Sequence, residues 1–358
     1  MIKKKSFKYD LAPQSKLYDV MLAKWRPFLM FNQDSNLRSK VCNTDIYGLR
    51  FNKLKNKKNS TSIFDNINKK KKTGILLGNS TAFGEGASKD EMTISSLLSN
   101  ISNYHVFNLC GRGFSGMQEI INYLLLSHKI KKVKKIFVIS GLQDSILPFY
   151  TPQKEFDSFL TPIYGHRLFN FYMQKAVIGW KKKLLQFFLK LFFIKNINVN
   201  AINRLNLFEQ IAIKKEFVNV SNKNPYKIYE EIIARNFFLL SSISKSLNIK
   251  VNYILQPVAT WCMKKKSHEE KKILNEESST PHLKKIYSHV DRKKYLFVKK
   301  IILKEIRKYN MGFLDLNEFL GQKKYDNEWL FVGNFHVNDN CNNIIAKEIY
   351  KKFIKKKK

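Results

Sequence analysis

Apolar and polar positions along the chain repeat one order: a short, nearly continuous apolar run, a polar or glycine-rich turn, then a segment with apolar residues at helical spacing. The runs lie at about Gly74–Leu77, Val106–Leu109, Lys135–Ser140, Lys250–Leu255 and Gly312–Leu316. Short apolar runs that alternate with helical segments predict buried strands of a parallel sheet with helices on both faces. Asp90-Glu91 opens a helix through Thr93–Leu98, Tyr226–Leu247 has helical periodicity and stops at Asn248, and a last helix covers Asn342–Phe353. The expected fold class is α/β, a three-layer fold around a central parallel sheet of about five strands.

Two stretches interrupt this rhythm. Asn52 to Lys72 is rich in Lys, Asn and Ser and reads as an exposed linker, which makes residues 1–72 an N-terminal extension and linker and 73–358 the main domain. Pro148 to Asn224 is too long for a simple crossover and reads as a helical insertion at about 148–224. Within it, residues 176–195 are apolar, aromatic and basic, but Lys190 and Lys181-Lys182-Lys183 break the run well short of the roughly 18 apolar residues that span a bilayer. That leaves a lid helix packed over a site, or an interfacial helix making peripheral membrane contact through Trp180 and the phenylalanines. A second insertion-like segment, Trp261 to Ser288, carries Glu269-Glu270 and Glu276-Glu277 and reads as a solvated helical region.

The charge changes the picture less than its size suggests. A chain of 358 residues with net charge +37 invites a nucleic-acid reading, but 56 of the 65 basic residues are Lys, spread from end to end, and only 9 are Arg. Arg is the residue suited to bidentate phosphate and base contacts, and no nucleic-acid-binding motif accompanies the charge, so no nucleic-acid partner is expected. Cys42, Cys110, Cys262 and Cys341 have neither metal-ligand spacing nor a disulfide pattern and read as small buried thiols. The basic N-terminus lacks a following apolar region and cleavage site, so a cytoplasmic location is the default expectation.

The candidate chemistry begins at Gly78-Asn79-Ser80-Thr81-Ala82-Phe83-Gly84-Glu85-Gly86, where Ile75-Leu76-Leu77 delivers a serine into a glycine-rich turn ahead of a helix. A serine there lies at the carboxyl edge of a parallel sheet, where open α/β folds take ligands; the bland alternative is a turn whose glycines serve backbone geometry alone. Three more segments follow in order: Val106 to Gly116, a strand running into the turn Gly111-Arg112-Gly113; Ile136 to Asp144, a strand ending in Gly141-Leu142-Gln143-Asp144; and Gly333-Asn334-Phe335-His336 before the last helix. Serine first, amide-bearing turn third and histidine last resembles the SGNH (GDSL-like) hydrolases, closest to the type encoded near polysaccharide biosynthesis genes whose first block reads Gly-Gly-Ser-Thr-Ala-Phe-Gly. Asn43 to Arg50 and Leu255-Gln256-Pro257 resemble flanking elements of the same family.

The resemblance implies an SGNH/flavodoxin-like fold, Ser80 as nucleophile, His336 as general base, and an oxyanion hole from the N–H groups of Ser80 and Gly113 with a side-chain amide as third donor. Here that donor is Gln143 where the family has Asn, one methylene longer, and one misplaced oxyanion donor costs roughly a hundredfold or more in rate. The family's Asp-x-x-His reads Gly333-Asn334-Phe335-His336, so the acid that orients the imidazole is missing; a backbone carbonyl can hold the Nδ1 proton instead, Asp339 or Asp326 are the neighbouring acids that could substitute, and Gly333→Asp is the restoring change. The implied activity is ester hydrolysis, removal of an O-acyl group from a glycan or other small ester, with no metal or organic cofactor. An O-acyltransferase on a glycan and a catalytically impaired glycan-binding homologue remain open alternatives.

Overall fold

A computed structural model describes residues 6–54 except 22 and 25, residues 58, 60–62 and 64, and residues 72–150 and 224–355. Strands β1 (Ala23–Lys24) and β2 (Asn32–Gln33) form a small antiparallel ribbon. The central sheet comprises β3 (Lys72–Gly78), β4 (Tyr104–Asn108), β5 (Val133–Ser140), β6 (Lys250–Leu255) and β7 (Gly312–Asp315). Its order is β4-β3-β5-β6-β7 and every pairing is parallel. All five expected strands are present. The first strand of this sheet is interior and the second lies outside it, so the connections leaving β3 and β5 diverge and open a crevice at the carboxyl edge.

Among the described residues the α-helices, in chain order, are α1 (Phe7–Leu11), α2 (Ser15–Val20), α3 (Ser80–Phe83), α4 (Ile94–Ile101), α5 (Gly116–Ser127), α6 (Leu142–Tyr150), α7 (Pro225–Leu247), α8 (His268–Ser278), α9 (Pro281–Tyr287), α10 (Arg292–Tyr309), α11 (Leu316–Leu320) and α12 (Asp339–Ile349). Alternation along the strands splits the core in two, as a pleated strand buried on both faces requires. Ile75, Leu77, Ile136 and Val138 pack with Tyr123, Tyr229, Phe237 and Val298 beneath α5, α7 and α10. Leu76, Phe137 and Ile139 pack with Leu98, Leu316, Ile345 and Ile349 beneath α4, α11 and α12. At the expected stop of α7, Asn248 adopts the left-handed conformation (φ 50°, ψ 48°), and its N–H returns to the last turn.

Two readings of exposed polar sequence change. Asn52 and Ser62, at the head of the stretch read as linker, are buried: the Asn52 amide donates to the Val106 carbonyl and the Ser62 hydroxyl donates to Asp45 Oδ2 at 2.8 Å. The Trp261 to Ser288 segment is not simply solvated either. Trp261 and Glu270 are fully buried, Glu270 bonding Lys264 Nζ at 2.6 Å and accepting from the N–H groups of Ser267, Leu330 and Phe331. Residues 176–195 and nearly all of the 148–224 insertion lie outside the described residues. Among the described residues, no helix is long and apolar enough to cross a membrane.

Candidate active site

Ser80 is the first residue of α3, one turn of helix hung directly on the end of β3. Its position depends on Gly78: a Cβ there would lie 2.4 Å from the Ile139 carbonyl oxygen and 2.5 Å from Ala82 Cβ, so only glycine lets the chain turn this tightly. Asn79 caps the helix, its side chain accepting from the Thr81 N–H at 3.2 Å while its amide donates to Gln256 Oε1. Gln256 in turn donates to Thr81 Oγ1 at 3.3 Å, so the Leu255-Gln256-Pro257 element braces both residues that flank Ser80.

His336 arrives from the opposite end of the chain. Residues 331–337 form a tight excursion closed by a bridge between Phe331 and Val337 and by the Val332 N–H donating to the His336 carbonyl at 3.0 Å. The Thr81 hydroxyl donates to the Phe335 carbonyl at 2.7 Å and ties the excursion to the serine turn. The outcome is a Ser80 Oγ to His336 Nε2 separation of 2.9 Å. For Nε2 to accept the serine proton, the neutral ring must carry its own proton on Nδ1.

The remaining residues expected at the site divide. Gly113 sits in the turn after β4 with φ +71°, a left-handed conformation that suits glycine, and Gln143 occupies the first turn of α6, after β5. Because β4 and β5 flank β3, both lie at the carboxyl edge beside Ser80. The Ser80 N–H opens a helix and has no intrahelical acceptor. Asp144, beside Gln143, is buried and accepts from the Gly116 N–H at 3.0 Å and from Asn236 at 3.1 Å, joining α5, α6 and α7. Neither Asp339 nor Asp326 bonds the imidazole. Asp339 caps Ser88, at 2.9 Å from its N–H and 2.5 Å from its hydroxyl, and Asp326 accepts from the Lys265 N–H at 2.8 Å. Both acids are therefore committed to neighbouring backbone.

The sequence reading assigned no role to Glu85 and Arg112. Glu85 Oε1 is 3.8 Å from His336 Nε2, and Glu85 Oε2 is 2.8 Å from Arg112 Nε. Burial pushes the Glu85 carboxyl up, but the facing His336 and Arg112 outweigh it and hold the group at about 2, ionised at neutral pH. Burial lowers the His336 pKa, while the Glu85 charge works against that lowering. Arg112 also donates to the Met21 and Tyr18 carbonyls at 3.1 and 2.6 Å, and Arg50 donates to the Gly84 carbonyl at 2.8 Å beside its 3.2 Å pairing with Asp90. The N-terminal residues thereby brace the serine turn from outside. A lone acidic residue within the glycine-rich turn was the available signal for Glu85. The four cysteines are buried and free, and burial raises the pKa of each, so none has the character of a reactive thiol.

No protein-family model matches the chain, and no curated protein matches it. Among solved structures, the chain is similar to a lipase/acylhydrolase from Enterococcus faecalis, at 12% identity over 80% of this chain and 100% of that one, with a TM-score of 0.40. It is also similar to the acetyl xylan esterase AlAXEase, at 12% identity over 79% and 100% with a TM-score of 0.34. An aryl esterase of M. smegmatis aligns at 10% identity over 79% and 100% with a TM-score of 0.37. Likenesses of this size identify neither an activity nor its residues. What the chain itself presents is an open parallel α/β sheet with a serine and a histidine in hydrogen-bond contact at its carboxyl edge.

Proposed function

We propose that the protein is a serine ester hydrolase that removes an O-acyl group from a glycan or another small ester. The observation that carries this reading is the 2.9 Å contact between Ser80 Oγ and His336 Nε2. A serine hydroxyl is a weak nucleophile until a neighbouring base takes its proton, so the pair is the informative unit. In this reading Ser80 Oγ attacks the acyl carbon as His336 Nε2 accepts its proton. The oxyanion is held by the N–H groups of Ser80 and Gly113 and by the Gln143 amide, and the protonated imidazole then delivers its proton to the departing sugar oxygen. Water then attacks the acyl carbon as His336 takes one of its protons, and the imidazolium returns that proton to Ser80 Oγ as the bond to the acyl carbon breaks, giving free acid and serine.

The test is turnover of p-nitrophenyl acetate and release of acetate from O-acetylated oligosaccharides, with Ser80→Ala as the comparison. The reading predicts a loss of roughly ten thousandfold or more in that variant. Equal activity in Ser80→Ala, or turnover of neither ester class by the folded protein, would rule it out.

A further inference from the structure

The position three residues before the histidine is Gly333, and the space beside it is already filled by a carboxylate. A Cβ built on Gly333 would lie 2.6 Å from Glu277 Oε1, 3.2 Å from its Cδ and 3.3 Å from Oε2. Glu277 comes from the last turn of α8, a separate element. It is held there from several sides: Oε2 accepts from the Asn334 N–H at 2.9 Å and from the Tyr287 hydroxyl, and Oε1 lies 3.9 Å from Lys8 Nζ. Tyr287 also stacks edge-on against Phe335, at 5.4 Å between ring centroids, so the carboxylate and the histidine excursion share one packing unit.

Helix preference does not account for a glutamate at this position. The last turn of α8 carries no basic residue, and acids at a helix C-terminus oppose the macrodipole. A residue placed against local preference and gripped by several donors is where function is expected to override it. We propose that Glu277 is the positioning acid of His336, supplying from α8 the carboxylate that position 333 lacks and stabilising the imidazolium through its charge. The charged groups that act on the ring are Glu85, Lys8, Glu277 and Arg112, and of these Glu277 is the acid on the Gly333 side. The proposal rests on the hydrolase reading for its purpose, but its electrostatic content can be measured without activity.

The experiment is a pH titration of His336 in the full chain by histidine-selective ¹⁵N NMR, the resonance assigned with His336→Gln. Glu277→Gln keeps an acceptor for Asn334 and Tyr287 and removes only the charge; it is expected to lower the proton affinity of His336 by about tenfold. An unchanged midpoint in the folded variant would overturn the proposal. The reciprocal substitution sharpens the test. Gly333→Asp alone is expected to give no gain in serine reactivity, because its side chain meets Glu277, whereas Gly333→Asp in a Glu277→Ala background should restore the wild-type midpoint. Should Glu277→Gln fail to fold, the double variant decides: a wild-type midpoint supports the proposal and a lowered one overturns it. If the midpoint moves as expected while no serine reactivity is found, Glu277 stands as the His336 partner and the hydrolase reading fails.

Discussion

Replacing Glu85 by glutamine should move the acid limb of Ser80 reactivity to lower pH. Glu85 Oε1 lies 3.8 Å from His336 Nε2, and the two side chains are 10% and 19% exposed. At that separation a full charge is worth about 1 kcal/mol in bulk water and about 4 kcal/mol at an effective dielectric constant of ~20. Arg112 acts on His336 in both forms of the protein, so it does not alter the difference. One pH unit corresponds to roughly 1.4 kcal/mol, which gives an expected displacement of roughly one to three units. The sign follows from the direction of each effect. The carboxylate raises the His336 pKa against the lowering caused by burial, so its removal lets the imidazole stay neutral, and competent as a base, to lower pH. The assay is the rate of Ser80 modification by a fluorophosphonate from about pH 4 to pH 9, with a thermal melt to show that the glutamine still accepts from Arg112 and preserves the fold. An acid limb that stays in place, or moves to higher pH, would refute the reasoning.

Two further predictions concern buried charge. Lys264→Met leaves the Glu270 carboxyl without its ion-pair partner in a site where both side chains are fully buried, and should cost about 3–5 kcal/mol in urea unfolding. Adding Glu270→Leu should not recover that loss, because the N–H groups of Ser267, Leu330 and Phe331 would lose their acceptor. Glu119 is buried beside Asp144 and accepts from Ser140 Oγ at 2.7 Å, and burial raises its pKa well above the usual carboxyl range. A raised folded pKa means that the folded state binds more protons, so this group's stabilisation is complete below the unfolded carboxyl pKa and is lost as pH rises through the folded one. Glu119→Gln should therefore flatten the decline in stability as pH rises from the unfolded carboxyl pKa through the folded one, and an unchanged pH dependence of unfolding would count against it.

What could be read from the sequence was largely what local pattern controls. The five strands were visible because each is a buried apolar run with glycine or polar residues at its carboxyl end, and the stop of α7 was visible because Asn tolerates the left-handed backbone there. Ser80 and His336 were legible from chain order, and the structure brings them to 2.9 Å. The partners of the pair were not. Glu85 with Arg112, and Glu277 beside Gly333, meet only after loops from different strands and helices converge, and no spacing rule links such residues. Asp339 and Asp326 are the aspartates nearest in sequence to the histidine, yet each is used by a backbone N–H group close to it in space. Asn52 and Ser62 misled for the opposite reason: polar side chains suggest solvent, but these two are buried because each finds a hydrogen-bond partner.

The most direct measurement of the central claim is intact-mass detection of covalent labelling by a fluorophosphonate, comparing the natural protein with Ser80→Ala and His336→Ala. The account predicts one adduct on the natural protein, none on Ser80→Ala, and strongly slowed labelling of His336→Ala. No adduct on a folded natural protein, or labelling that persists without Ser80, would contradict it.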